Sequence, residues 1–389
     1  MKKRIAALLM VLLLAAASTA GAKYDLYEVR LGDASYFVGW SFCPLDARNA
    51  VVTALSDNGK PWHVGWYRDG ELFRDLAGYI DDIYLEDRVI PRPVLWDGEN
   101  LTMGFSVRKE AFRSVVKDGL VYADPDNYED YFAEWTEKGL ENRRFVPDGW
   151  YDAQMLGRVL FSHKNYAFSL RINGEDTPLP EGFAGLKKEN LLNLKYYPAG
   201  KERFLLSWRN TSDIYQYIAC VDHGKKRSET VLPMEEGWLI LPDGTGGFLS
   251  QIGWYTGDYE PVRLAHFTAD GERDRVLELK GNQVVVRALQ AVTDEQSGNV
   301  ILYGTAVAHS RKVYTAFAMT LDRDLNVTDL DVRNIDPVYK AYCPDLQTAP
   351  DGTAWLLIGD VEGKVRYRPV MIPFYALEKS NENFGLTLK

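Results

Sequence analysis

Apolar and polar residues alternate along most of the chain in short runs, each ended by a turn signal. Residues 243–279 show the grammar most clearly: a glycine-rich turn, an apolar run ending in Gly253-Trp254, a loop and an alternating run. A tight Ala269-Asp270-Gly271-Glu272 tip then leads into a last run. Residues 297–332 repeat the order, with Asp322-Arg323-Asp324-Leu325 at the tip. Period-two runs joined by Asp-Gly or Asn-Gly pairs are the signature of β-hairpins. The template recurs with tips at Arg68-Asp69-Gly70-Glu71, Lys117-Asp118-Gly119, Ile172-Asn173-Gly174-Glu175 and Asp222-His223-Gly224. A final copy starts at Ala354.

That makes seven units at a period of roughly fifty residues, each long enough for four strands. A lone four-stranded sheet cannot bury both faces, whereas sheets set radially bury each face on a neighbour. The predicted fold is therefore all-β, a single seven-bladed β-propeller over residues 23–378. A ring of six or eight blades and a pair of β-sandwiches are the alternatives. The last unit lacks a fourth strand, and the alternating segment 24–31 is available to complete it and close the ring. Residues 379–389 read as a polar C-terminal tail. One segment breaks the grammar: in residues 124–142 Tyr131, Phe132, Trp135 and Leu140 have near-helical spacing, which predicts a short inserted amphipathic helix.

The matching pieces are residues 242–253, an Asp-Gly turn entering an apolar strand, and residues 265–272, a strand entering an Asp-Gly hairpin. Residues 319–327 come close. In these the chain resembles the broad group of secreted bacterial β-propellers with Asp-Gly-Gly-type blade repeats. The resemblance implies architecture and carries no activity with it.

The N-terminus changes the picture of where the chain works. Lys2, Lys3 and Arg4 precede an apolar run of roughly 13 residues, short of the about 20 that span a bilayer, and small residues follow up to Ala22. Residues 1–22 thus read as a cleaved secretory signal, making the mature protein secreted or extracytoplasmic and not membrane-spanning. The formal net charge of the whole chain is −10. Removing three basic residues makes it more acidic still, which argues against a nucleic-acid partner.

Chemistry is scarce. The five histidines, His63, His163, His223, His266 and His309, fall at different phases of the repeat, so no axial metal site is expected. Asp124, Asp126, Asn127, Glu129 and Asp130 offer hard oxygen ligands suited to calcium, without the glycine and terminal glutamate of a hand motif. No other cofactor is implied. No nucleophile elbow or catalytic triad spacing is present, so catalytic residues stay unassigned. The surplus is aromatic: Trp40, Trp96, Trp150, Tyr151, Tyr196, Tyr197 and Trp238 lie in or near the first strand of their units. They are the ligand-binding candidates at the mouth of a central channel, although aromatics also fill wedges between blades. Cys43 and Cys343, each before a proline in the first and last units, are candidates for a disulfide across the closure. The expected function is a binding or scaffold module for a glycan, peptide or protein. The alternative is a carbohydrate-active hydrolase or lyase with two axial carboxylates.

Overall fold

The structure is a computed structural model that describes residues 37–56, 63–76, 91–108, 114–117, 120–123, 128–146, 151–154, 159–164, 167–172, 175–177, 191–199, 203–210, 214–237, 239–253, 260–293, 297, 299–308, 313–335, 345–362 and 366–389. It is all-β and antiparallel. Sheet one holds β1 (Phe37–Pro44), β2 (Asn49–Ser56), β3 (His63–Arg68) and β4 (Glu71–Asp75) in that order. Sheet two begins with β5 (Arg92–Trp96) and β6 (Leu101–Arg108). The chain then leaves the sheet for a separate hairpin, β7 (Ser114–Lys117) and β8 (Leu120–Ala123), and returns as β9 (Tyr128–Thr136) and β10 (Gly139–Phe145).

Five further sheets follow the same meander, and a C-terminal strap ends the chain. Sheet three is β11 (Tyr151–Gln154), β12 (Val159–Lys164), β13 (Ala167–Ile172) and β14 (Glu175–Thr177). Sheet four is β15 (Leu191–Pro198), β16 (Arg203–Asn210), β17 (Tyr215–Asp222) and β18 (Lys225–Pro233). Sheet five is β19 (Ile240–Pro242), β20 (Phe248–Gln251), β21 (Val262–Phe267) and β22 (Arg273–Lys280). Sheet six is β23 (Val285–Thr293), β24 (Val300–Ala308), β25 (Val313–Leu321) and β26 (Val327–Ile335). Sheet seven shows three strands, β27 (Asp345–Thr348), β28 (Ala354–Glu362) and β29 (Arg366–Pro373). Last come β30 (Glu378–Lys379), paired with β26, and β31 (Thr387–Leu388), paired with β22.

Sequence explains the turns and the packing together. Asp69 and Gly70 both adopt positive φ, 52° and 86°, as do His223 and Gly224, 50° and 75°. Two successive left-handed residues give the turn whose twist matches the strands, and glycine takes the second place without a Cβ penalty. Second strands are continuously apolar because their two faces pack on different neighbours. In β28, Leu356 and Ile358 join Tyr303 and Val307 of sheet six, while Trp355 and Leu357 join Phe42, Ala50 and Val52 of sheet one. In β2, Val51 turns the other way, to Trp66, Leu101 and Trp135 at the seam with sheet two. Sheets four and five share Leu205, Cys220, Phe248 and Phe267, and sheets five and six share Leu249, Leu264, Leu302 and Phe317. The first strands also pack side by side: β5 on β11, β11 on β15, β19 on β23, β23 on β27, and β27 on β1.

Two expectations are corrected. Residues 128–145 are not a helix but β9 and β10, the outer strands of sheet two. Phe132 packs with Val94 on one face and Trp135 with Trp66 on the other, so burial on both faces erases the strand alternation. The real departure from the meander is the β7–β8 hairpin, which forms a two-stranded sheet of its own, outside the strand order of sheet two. Nor is 379–389 a polar tail. It pairs with two outer strands and buries Phe384, Leu386 and Leu388 in the core shared by sheets five and six. The segments 1–22 and 24–31 lie outside the described residues.

Candidate functional site

Among the described residues, four turns between first and second strands are built on an aspartate. Asp46 accepts from the amides of Arg48 and Asn49 at 2.7 and 2.8 Å, and Asp97 from those of Glu99 and Asn100 at 2.9 and 2.7 Å. Asp243 accepts from Thr245 N at 2.7 Å, and Asp351 from Thr353 N at 2.9 Å. A short carboxylate that caps its own turn competes well with water for those amides. Backbone hydrogen bonds from Asn100 and Glu99 outweigh burial and hold the Asp97 carboxyl below its usual range.

These turns also link the sheets. Trp96 of sheet two donates its indole N–H to Asp46 Oδ2 at 3.0 Å. Asp351 of sheet seven accepts from Ala47 N of sheet one at 2.9 Å, and Arg203 of sheet four donates to Thr245 O of sheet five at 2.9 Å.

The turn at Asp243 holds the buried ionisable cluster. His266, on β21, is 6% exposed and Asp243 2%. The Nε2 of His266 is hydrogen-bonded with Asp243 Oδ2 at 2.9 Å and its Nδ1 with Asp274 Oδ1, on β22, at 2.5 Å. Thr245 Oγ1 adds a hydrogen bond to Asp243 Oδ2 at 2.9 Å. Gly247 makes the approach possible, because a Cβ there would lie 2.3 Å from Phe267 O and 2.5 Å from Asp243 Oδ2. Burial pulls the His266 pKa down, but hydrogen bonds and charge from Asp243 and Asp274 outweigh it and raise the value above 6.5. Both ring nitrogens are taken up by carboxylates, which favours the protonated imidazole and leaves neither nitrogen open for general-base work. The arrangement ties a turn and two strands together.

Beside it runs a paired surface network at the seam of sheets four and five. Arg203 meets Asp222 at 2.9 Å, Arg227 meets Asp270 at 2.9 Å, and His223 Nδ1 meets Asp222 at 2.6 Å. Cys220 lies buried beneath, its thiol pushed up to about 11 by burial. A hollow of about 330 Å³ lies elsewhere, between β26 and the C-terminal strap, lined by Leu330, Val332 and residues 379–383.

The aromatic candidates divide. Trp96 is half-buried at the seam of sheets one and two, its ring edge-on to Trp66 at 5.5 Å. Tyr196 packs its ring 5.1 Å from Phe204. Tyr197 is pushed up to about 12 by burial, against a hydrogen bond with Ser207 that lowers it. These three rings serve packing. Trp40 and Tyr151 lie on β1 and β11, but their side chains, with the whole of Trp150 and Trp238, fall outside the described residues. Cys43 is a free thiol, pushed up to about 12 by burial, and Cys343 lies outside the described residues. So do Asp124, Asp126 and Asn127; of that oxygen-rich stretch, Glu129 accepts from Tyr131 Oη at 2.7 Å. Among the described residues no three His, Cys, Asp or Glu side chains could hold a metal ion, and no helix is long and apolar enough to cross a membrane. The Asp243–His266–Asp274 cluster was missed in the sequence because its members lie on separate strands.

No protein-family model matches the chain, and no curated protein does. Among solved structures, it is similar to a post-proline cleaving enzyme from Rickettsia typhi, with 12% identity over 92% of this chain and 54% of that one, at a TM-score of 0.45. A structure from a study of two prolyl endopeptidases gives 9% identity over 89% and 48%, at 0.41. A eukaryotic initiation factor gives 10% over 76% and 66%, at 0.32. The chain spans about half the length of the two peptidases, and at these TM-scores no activity passes from them to it.

Proposed function

We propose that this chain is an extracytoplasmic β-propeller of seven blades, its ring closed by sheet seven on sheet one, acting as a binding or scaffold module. The observation that carries the reading is the order of the seams. First strands pack side by side from β5 through β11 to β15 and from β19 through β23 and β27 to β1, while sheets one and two, and sheets four and five, join through shared cores. Trp355 of sheet seven sits in one cluster with Phe42, Val52 and Tyr67 of sheet one. A ring of radial sheets leaves one axial opening, and the mouths of closed β structures favour ligands.

Binding, rather than turnover, is supported by the state of the buried histidine, whose two nitrogens are both engaged within its own sheet. The rings of Trp96 and Tyr196 are packed, so the sequence candidates left for stacking on a ligand are Trp40, Trp150, Tyr151 and Trp238. A thermal-shift screen of residues 23–389 against neutral and charged oligosaccharides, cell-wall fragments and short peptides tests the reading. A ligand at about 100 times its Kd adds about 2.7 kcal/mol to the folded state and raises the midpoint. A saturable shift without consumption of the ligand is expected. Cleavage of a sugar that shifts the midpoint would move the protein to the carbohydrate-active class.

A further inference from the structure

The first strands share an irregularity in their pairing with the second strands. Five of them are bulged against the second strand: β1 between Phe37 and Gly39, β5 between Pro93 and Leu95, β11 between Tyr151 and Gln154, β15 between Leu192 and Lys195, and β23 between Arg287 and Gln290. Bulges re-aim side chains and cluster beside binding sites. In sheets two, four and six, a basic residue stands at or next to the bulge: Arg92, Lys195 and Arg287. Each faces a small partner across the strand pair, Arg92 opposite Gly104, Lys195 opposite Ser207 and Arg287 opposite Thr305.

Arg92 and Lys195 are exposed and Arg287 is half-buried, all on first strands, which pack on one another between neighbouring sheets. The described first strands carry no other basic residue, against two acids, Asp152 and Asp345. Three basic residues against two acids favour an anion over a cation, and guanidinium and ammonium groups suit carboxylate and phosphate oxygens.

We infer that the axial opening takes a small multivalent anion, bearing carboxylate or phosphate groups, held by Arg92, Lys195 and Arg287 from alternating sheets. The inference rests on the proposed reading of the chain as a binding ring. It adds the ligand class, and it explains why an acidic protein keeps basic residues on its innermost strands.

The test is isothermal titration of the mature chain with citrate and with tripolyphosphate, beside maltotriose as a neutral probe, at low and raised salt. At least one anion is expected to bind, more weakly at raised salt. Lys195→Gln, at an exposed position, is expected to weaken it at least about tenfold, since a charged hydrogen bond of this kind is worth about 1.5–3 kcal/mol. The triple variant Arg92→Gln, Lys195→Gln, Arg287→Gln should abolish it. Lys138→Gln, in the β9–β10 turn, should leave it unchanged. Anion binding that survives Lys195→Gln at full strength overturns the assignment, as does equal loss in Lys138→Gln. Binding of maltotriose with silence from both anions removes the anion site while leaving the binding module. If no probe binds here and none shifts the midpoint in the wider screen, both proposals fall.

Discussion

Trp355 of sheet seven donates its indole N–H to the backbone carbonyl of Asp46 in sheet one at 2.9 Å, across 309 positions of sequence. The same ring is 1% exposed and packs with Phe42, Val52 and Tyr67, so one side chain supplies both apolar burial and a polar anchor at the seam. Tyr375 adds a second link, its hydroxyl donating to Ala47 O at 2.8 Å.

Truncating that side chain should loosen the seam. Trp355→Ala is expected to cost about 3–5 kcal/mol, the usual range for an aromatic removed from a core. Trp355→Phe should cost less while leaving the Asp46 carbonyl without its donor, about 1–3 kcal/mol. Urea unfolding followed by tryptophan fluorescence and by far-UV dichroism checks both. A loss below about 1 kcal/mol for the alanine variant would mean that the seam contributes little.

Two glycines should respond differently to alanine. At Gly247 a methyl group would run into the Phe267 carbonyl and the Asp243 carboxylate, so Gly247→Ala should displace Asp243 from His266 and cost at least about 2 kcal/mol. At Gly98 φ is +102° but nothing lies within 4 Å, so Gly98→Ala should cost only backbone strain, about 1 kcal/mol. Thermal midpoints of the two variants give the comparison, and equal losses would contradict it.

The buried histidine sets a pH dependence. Its folded pKa lies above its ordinary value of 6.5, so the folded state holds the proton more tightly than the unfolded chain. That contribution is fully present below about pH 6.5 and is lost as pH rises through the folded pKa. The wild-type midpoint should therefore fall across that window, and His266→Asn should flatten the fall. A variant with the same slope as wild type would assign the titration to another group.

The C-terminal strap should behave as part of the core. Leu386 is 5% exposed, and Leu386→Ala should cost about 2–5 kcal/mol. Deleting residues 378–389 should speed amide exchange in β22 and β26, whose outer edges it covers, while leaving β2 and β3 of sheet one protected. Unchanged exchange in β22 would show that the strap does not hold that edge.

The hairpin tips were legible because their chemistry is local. Asp69-Gly70 and His223-Gly224 carry in two residues the backbone sign that the turn demands. The second strands were legible as apolar runs bounded by turns. Where burial on both faces coincided with three-residue spacing, as with Phe132 and Trp135, the same residues imitated a helix. The strap carried its own signal, since Phe384, Leu386 and Leu388 alternate, but the polar stretch before them masked it. No local pattern could join His266 to Asp243, 23 positions away, because only the strand register brings them together. The basic residues of the first strands were hidden for a related reason: their meaning depends on bulges that appear only once the strands are paired.

The central claim, that the last sheet closes on the first, is tested most directly by cross-linking. Ala47 N lies 2.9 Å from Asp351 Oδ2, so Ala47→Cys with Asp351→Cys places two thiols across the seam from sequence positions 304 apart. Mild oxidation of the folded monomer, followed by peptide mapping, reads out the pair. A closed ring predicts a linkage between the peptides containing positions 47 and 351, formed within one chain. Two free, alkylatable thiols at those positions in a folded, oxidised protein would contradict it.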